Sequence, residues 1–140
     1  MIANARYLHL LPGAPLPDLG PQPPFLAFVL VRADVEPDWQ WAVSKWLVAS
    51  GCLSMAAWGI DCTSWDDSVD YANLEAFSYR DIPEDFAVMT NWHEKDSFED
   101  AFFFARHVAF HPTRELEFAL ILDISAIDRE AGALEMWARA

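Results

Sequence analysis

Short apolar runs alternate along this chain with stretches whose apolar residues recur every three or four positions. Phe25–Val31, FLAFVLV, is apolar throughout, as a strand covered on both faces would be. Pro37 then opens a stretch in which Trp39, Val43, Trp46 and Leu47 share one helical face, and Gly51 offers a left-handed stop. Residues 52–58 read as a second strand. Thr63 with Asp66, or Ser64 with Asp67, forms a capping-box pattern for a second helix that turns Trp65, Val69, Ala72 and Ala76 inward. The same logic predicts a short third strand over 86–90 and a helix capped by Ser97 with Asp100, its stripe Phe98, Ala101, Phe102, Ala105 and Ala109. A fourth strand follows over 116–124. Ser125 with Asp128 is expected to cap a last helix that faces Ile127, Ala131, Leu134 and Ala138 inward.

Strands separated by helices of this length pair in parallel through right-handed crossovers. The expected fold is therefore an α/β three-layer sandwich, with a four-stranded, mainly parallel sheet between helices on both faces. The expected strand order is 2-1-3-4. Six of the nine prolines lie between Pro12 and Pro24, so residues 1–24 read as a Pro-rich arm and residues 25–140 as one domain. Tyr7, Leu8, Leu10 and Leu11 make the arm too apolar to float freely, and it is expected to lie against the body along a sheet edge.

Composition narrows the function classes. At 140 residues the chain suffices for one domain, which at this size buries roughly two-thirds of its unfolded surface. A formal charge of −13 disfavours nucleic acid and anionic membranes, which reward Lys and Arg. It suits a basic protein partner, a divalent cation or plain solubility. Cys52 and Cys62 lie too far apart along an extended segment to pair, so both are expected as free thiols of a reducing, cytoplasmic compartment. No apolar run reaches membrane-span length.

Ligands of open parallel sheets bind beyond the carboxyl ends of the strands, which selects Asp34, Asp61, Cys62, His93 and Asp123 for attention. Residues 58–70, WGIDCTSWDDSVD, form the densest motif, in which Asp61, Asp66, Asp67 and Asp70 cannot all ionise at close range without a compensating charge. Two of these acids are equally explained as first-turn residues that favour the helix dipole. Cys62 at a helix start, with His93 as base and Asp61 beside them, would make a nucleophilic pair, although the nearby acids oppose a thiolate. Asp34, Asp61 and Asp123 would suit an oxygen-preferring divalent cation. His107 and His111 have ligand spacing but no third ligand nearby. There is no Gly-rich phosphate loop and no GxSxG elbow.

The 58–70 motif resembles the signature of an uncharacterised bacterial protein family. The resemblance runs from Phe25 onward and implies an α/β domain; it carries no catalytic residues. Two functions compete. One is a small acidic binding protein, for example an immunity or accessory protein of a bacterial toxin or defence system. It would grip a basic partner through Asp61, Asp66, Asp67, Asp70, Trp92 and Glu94. The alternative is an enzyme, or a small-ligand or metal-binding domain, that uses Asp61, Cys62 and His93.

Overall fold

The computed structural model describes residues 1–140. Five strands form one sheet: β1 (Ala5–Leu10), β2 (Phe25–Val31), β3 (Cys52–Gly59), β4 (Met89–Trp92) and β5 (Phe118–Ile124). Four helices accompany them: α1 (Pro37–Ala49), α2 (Thr63–Ala76), α3 (Phe98–His107) and α4 (Glu130–Arg139). Every strand pair is parallel, and the order across the sheet is β1-β5-β2-β3-β4.

β2 shows why the sheet is covered twice. Its residues are all buried, and they divide by parity between two cores. Phe25, Ala27, Val29 and Val31 pack with Val43 and Leu47 of α1 and Trp65 and Val69 of α2. Leu26, Phe28 and Leu30 pack with Ala101, Phe102 and Ala105 of α3 and Ala133 and Trp137 of α4. α1 and α2 thus lie on one face, and α3 and α4 on the other.

The sheet has five strands, not four, and the expected order is replaced. α1 and α2 carry the chain stepwise from β2 to β3 to β4 along one face. The connection through α3 then returns over the other face and places β5 on the open side of β2. The extra strand comes from the arm, which pairs with β5 from Ala5↔Ala119 to Leu10↔Ile124. No helix joins β1 to β2. The proline-rich strap that does so sets Ala14, Leu16 and Leu19 against the first core. Trp39 Nε1 donates to the Ala14 carbonyl at 3.0 Å and Trp46 Nε1 to that of Pro17 at 2.7 Å. These two tryptophans, expected on an inner face, are half-buried and hold the strap to α1.

Local departures have local causes. The strand expected over 86–90 begins at Met89, because the Asn73 side chain of α2 holds the chain first. Its Nδ2 donates to the Phe86 carbonyl and its Oδ1 accepts from the Val88 N–H. Neither expected capping box opens α2. Its first turn follows Cys62 without a side-chain cap, and Ser64 Oγ donates back to the Asp61 carbonyl at 2.8 Å. The Ser97 cap of α3 is present, accepting from the Asp100 N–H at 3.1 Å. α4 begins at Glu130, whose N–H donates to Asp128 Oδ1. It turns Ala133 and Trp137 inward, and Ile127 is left 57% exposed.

Candidate functional site

With all strands parallel, the turns that follow them share one rim. The best-defined part of it is the turn after β3. Gly59 adopts φ +110, and a Cβ built there would sit 2.1 Å from the Val31 carbonyl oxygen, so β3 ends in backbone-to-backbone contact with β2. The Ile60 N–H donates to that same oxygen at 2.8 Å. Asp61 then takes φ +50, a left-handed conformation that few residues other than glycine adopt readily. This turn exposes Ile60 and Asp61, buries Cys62 and starts α2, which buries Trp65 and Val69 and points its acids outward. The motif thus joins a tight turn to a core anchor and an acidic outer face.

On that outer face Asp66, Asp67 and Asp70 bring carboxylate oxygens within 4.8 Å of one another. Thr90 Oγ1 of β4 donates to Asp70 Oδ1 at 2.9 Å, which places the acids beside one edge strand of the sheet. Partial burial raises the Asp70 pKa above its usual value of 3.8; the Thr90 hydroxyl opposes this, and Asp66 and Asp67 add to it. The native state therefore holds the Asp70 proton more tightly than the unfolded chain does. Ionisation costs stability as the pH climbs through the window above 3.8, and that cost is absent at lower pH. Asp70→Asn keeps an acceptor for Thr90 and removes like-charge pairs at i,i+3 and i,i+4. We expect it to stabilise the fold at pH 7 by about 0.5 kcal/mol. Urea titrations should show this gain shrinking as the pH falls toward 3.8 and gone below it.

β4 ends in Trp92, 47% exposed, and the exposed Glu94 follows two residues later. His93 between them is buried. Its Nδ1 lies 2.6 Å from Asp96 Oδ2, its Nε2 2.7 Å from Asn91 Oδ1, and its ring packs on Phe104. Cys62 is buried as well. Desolvation pushes its thiol pKa up; the backbones of His93 and Gly59 act the other way, and Glu94 adds to the rise. Cys62 is thus beside the backbone of His93, while both imidazole nitrogens are engaged elsewhere. Cys52 is also free, and burial pushes its pKa up to about 12.

The other acids divide between two places. Asp34 and Asp61 line one polar pocket of about 120 Å³ beyond the ends of β2 and β3, with Gln40, Ser64 and Pro37. Asp123 does not join them. It is fully buried on the α3–α4 face, where Oδ2 accepts from the Tyr7 hydroxyl at 2.5 Å and Oδ1 has no partner. The candidate cation set Asp34, Asp61 and Asp123 is therefore not assembled at one point. His107 and His111 are also apart in role. His111 is buried with Nε2 on the Ala87 carbonyl, and His107 Nε2 meets the Ala140 carbonyl. Sequence reasoning overlooked Tyr7 and His9; the only signal was that they alternate with Leu8 and Leu10 along a short apolar arm.

No helix is long and apolar enough to cross a membrane. Neither the curated proteins nor the solved structures contain a match to this chain. Residues 5–140 match the model of a protein family described as a domain of unknown function, DUF7684, and the chain belongs to that family. The matched span starts with β1, so the family unit includes the strand that the arm contributes.

Proposed function

We propose that this DUF7684 domain is an acidic protein-binding module that holds a basic partner protein against its β4 edge, as an immunity or accessory protein of a bacterial toxin or defence system would. One observation carries the reading. Three carboxylates that approach within 4.8 Å of one another flank the edge strand β4, and the exposed Trp92 and Glu94 follow at its end. Close carboxylates repel unless a positive charge joins them, and an aromatic beside them supplies the anchor on which interface energy concentrates. The net charge of −13 would steer a basic protein toward this surface before contact. Asp61, on the turn that starts α2, extends the same acidic field.

The test uses the tagged chain and an Asp66→Ala/Asp67→Ala/Asp70→Ala variant for affinity capture at low salt. The captured protein is then purified and titrated with both. A basic partner is expected, with Kd rising at least about tenfold for the variant and weakening further as salt rises. Capture of the same proteins by wild type and variant, without salt dependence, would reject the reading. That outcome would move the weight to a second one, a small-ligand or divalent-cation site in the pocket between Asp34 and Asp61. Its support is that both carboxylates line a cleft beyond the strand ends, where parallel sheets bind ligands.

A further inference from the structure

A separate group of polar side chains lies at the carboxyl end of β1 and β5, away from β4. β5 and β2 are neighbours in the sheet, yet the chain leaves β2 for α1 on one face and β5 for α4 on the other. Such a divergence opens the crevice in which doubly wound sheets bind their ligands. Asp123 sits at this point with none of its surface exposed. The Tyr7 hydroxyl donates to Oδ2 and itself accepts the Arg129 N–H at 2.9 Å, which fixes the phenol's proton on the Asp123 side. Desolvation raises the Tyr7 pKa, opposed by the Arg129 backbone and helped by Asp123 and Asp128, so the phenol remains a donor. Oδ1 has no donor at all, and no basic side chain forms an ion pair with Asp123.

His9 is the residue of β1 directly paired with Asp123, so both side chains leave the same face of the sheet. Its Nε2 lies 2.8 Å from the Ser125 carbonyl, which only accepts, so Nε2 carries the hydrogen. In the neutral ring Nδ1 is then an acceptor, and the fold offers it no donor. One buried carboxylate oxygen without a donor and one ring nitrogen of the half-buried His9 that bonds to nothing in the fold thus stand on adjacent strands. Asp128 adds negative charge nearby, and Arg129 contributes its backbone N–H. The turn 125–129, which crosses this end between β5 and α4, has Ala126, Ile127, Asp128 and Arg129 exposed.

We propose that Asp123 Oδ1 and His9 Nδ1 form a binding site for a primary ammonium group, the end of a small amine, which reaches them beneath the turn 125–129. A primary ammonium supplies a positive charge and three N–H donors in a compact head, and so satisfies both acceptors. A quaternary ammonium has the charge without the donors, which separates hydrogen-bonded recognition from simple charge attraction.

The probe is methylammonium chloride, titrated into the full chain at constant ionic strength and followed by the ring carbon–proton resonances of its histidines. The His9 resonance should shift saturably. Tetramethylammonium chloride and sodium chloride should leave it in place. Asp123→Asn should weaken binding by at least about tenfold, because the charge-assisted bond is lost. If that variant does not fold, His9→Leu, which removes the ring acceptor and leaves Asp123 intact, should lose the rise in Tm that methylammonium gives the wild type. The absence of a saturable shift would overturn the proposal. An equal response to tetramethylammonium, or unchanged binding by both variants, would do the same and would leave Oδ1 with a buried water only. The β4 surface contributes no residue here, so this result and the capture experiment stand or fall separately.

Discussion

Gly59→Ala should destabilise the domain by at least about 3 kcal/mol, among the largest effects expected of any single substitution in this chain. Two costs combine. Alanine at φ +110 is strained in itself, and its Cβ would meet the Val31 carbonyl oxygen at 2.1 Å, backbone against backbone. No side-chain rotation relieves such a contact; β2 and β3 must separate at their ends. That separation would break the 2.8 Å bond from the Ile60 N–H to the same oxygen. It would also shift the start of α2, on which Asp66, Asp67 and Asp70 depend. Chemical denaturation should give a lower midpoint with an unchanged slope. Gly132→Ala is the control: its Cβ meets nothing within 4 Å, it lies inside α4, and it should be neutral or stabilising. A Gly59→Ala variant as stable as wild type would mean that β2 and β3 do not meet as described.

Trp137→Ala should cost about 3–5 kcal/mol, the usual range for removing a buried aromatic ring. Trp137 is 1% exposed, meets the Phe102 ring edge-on at 5.3 Å, and donates from Nε1 to the Ile2 carbonyl at 3.0 Å. Removing it leaves a cavity between α3 and α4 and leaves Ile2 held only by its N–H to the Arg106 carbonyl and by its buried side chain. Trp137→Phe should fill most of that space and lose only the hydrogen bond, costing about 1 kcal/mol beyond its packing difference. Phe103→Ala offers the contrast on the neighbouring helix. Phe103 is 53% exposed, and its truncation should fall within about 0.5 kcal/mol of wild type. Thermal and urea unfolding of the three variants would check the ranking.

The layered α/β arrangement was legible because its signals are strong. The unbroken run FLAFVLV reads as a short strand buried on both faces, and the α3 stripe Ala101, Phe102 and Ala105 is buried as its spacing implies. Strand order was not legible, because it depends on which face each crossover takes, and apolar strands look alike from either side. β1 was expected along a sheet edge but not as a full strand, since residues 5–10 mix Arg6 and His9 with apolar neighbours. The onset of α4 was misread because Ser125 and Asp128 match a cap pattern. In the fold, Ser125 Oγ donates to the Ile127 carbonyl instead, and Tyr7, 122 positions away, receives the Arg129 N–H.

The rim was legible as a set of acids and not as a geometry. Parallel pairing does put Asp34, Asp61 and Glu94 beyond strand ends. Parity along β5 sends Asp123 into the interior, and no spacing rule could reveal that Tyr7 would meet it there. The ring of His93 was weighed as a base for Cys62; Asn91 and Asp96, two and three residues away, claim it instead. Local partners of this kind are invisible to motif spacing because they need only a bend in one loop.

The insertion of β5 between β1 and β2 also governs how the molecule is made. β1 pairs with nothing but β5, and Tyr7 waits for Asp123, which is added 116 residues later. At ribosomal speed that interval is on the order of ten seconds. From its own synthesis until β5 arrives, the FLAFVLV strand has one side without a neighbour, an adhesive segment held in a nascent chain. A ribosome that stalls before residue 118 would display that segment to chaperones and to other chains, so the synthesis of Phe118–Ile124 decides between a closed sheet and an aggregate.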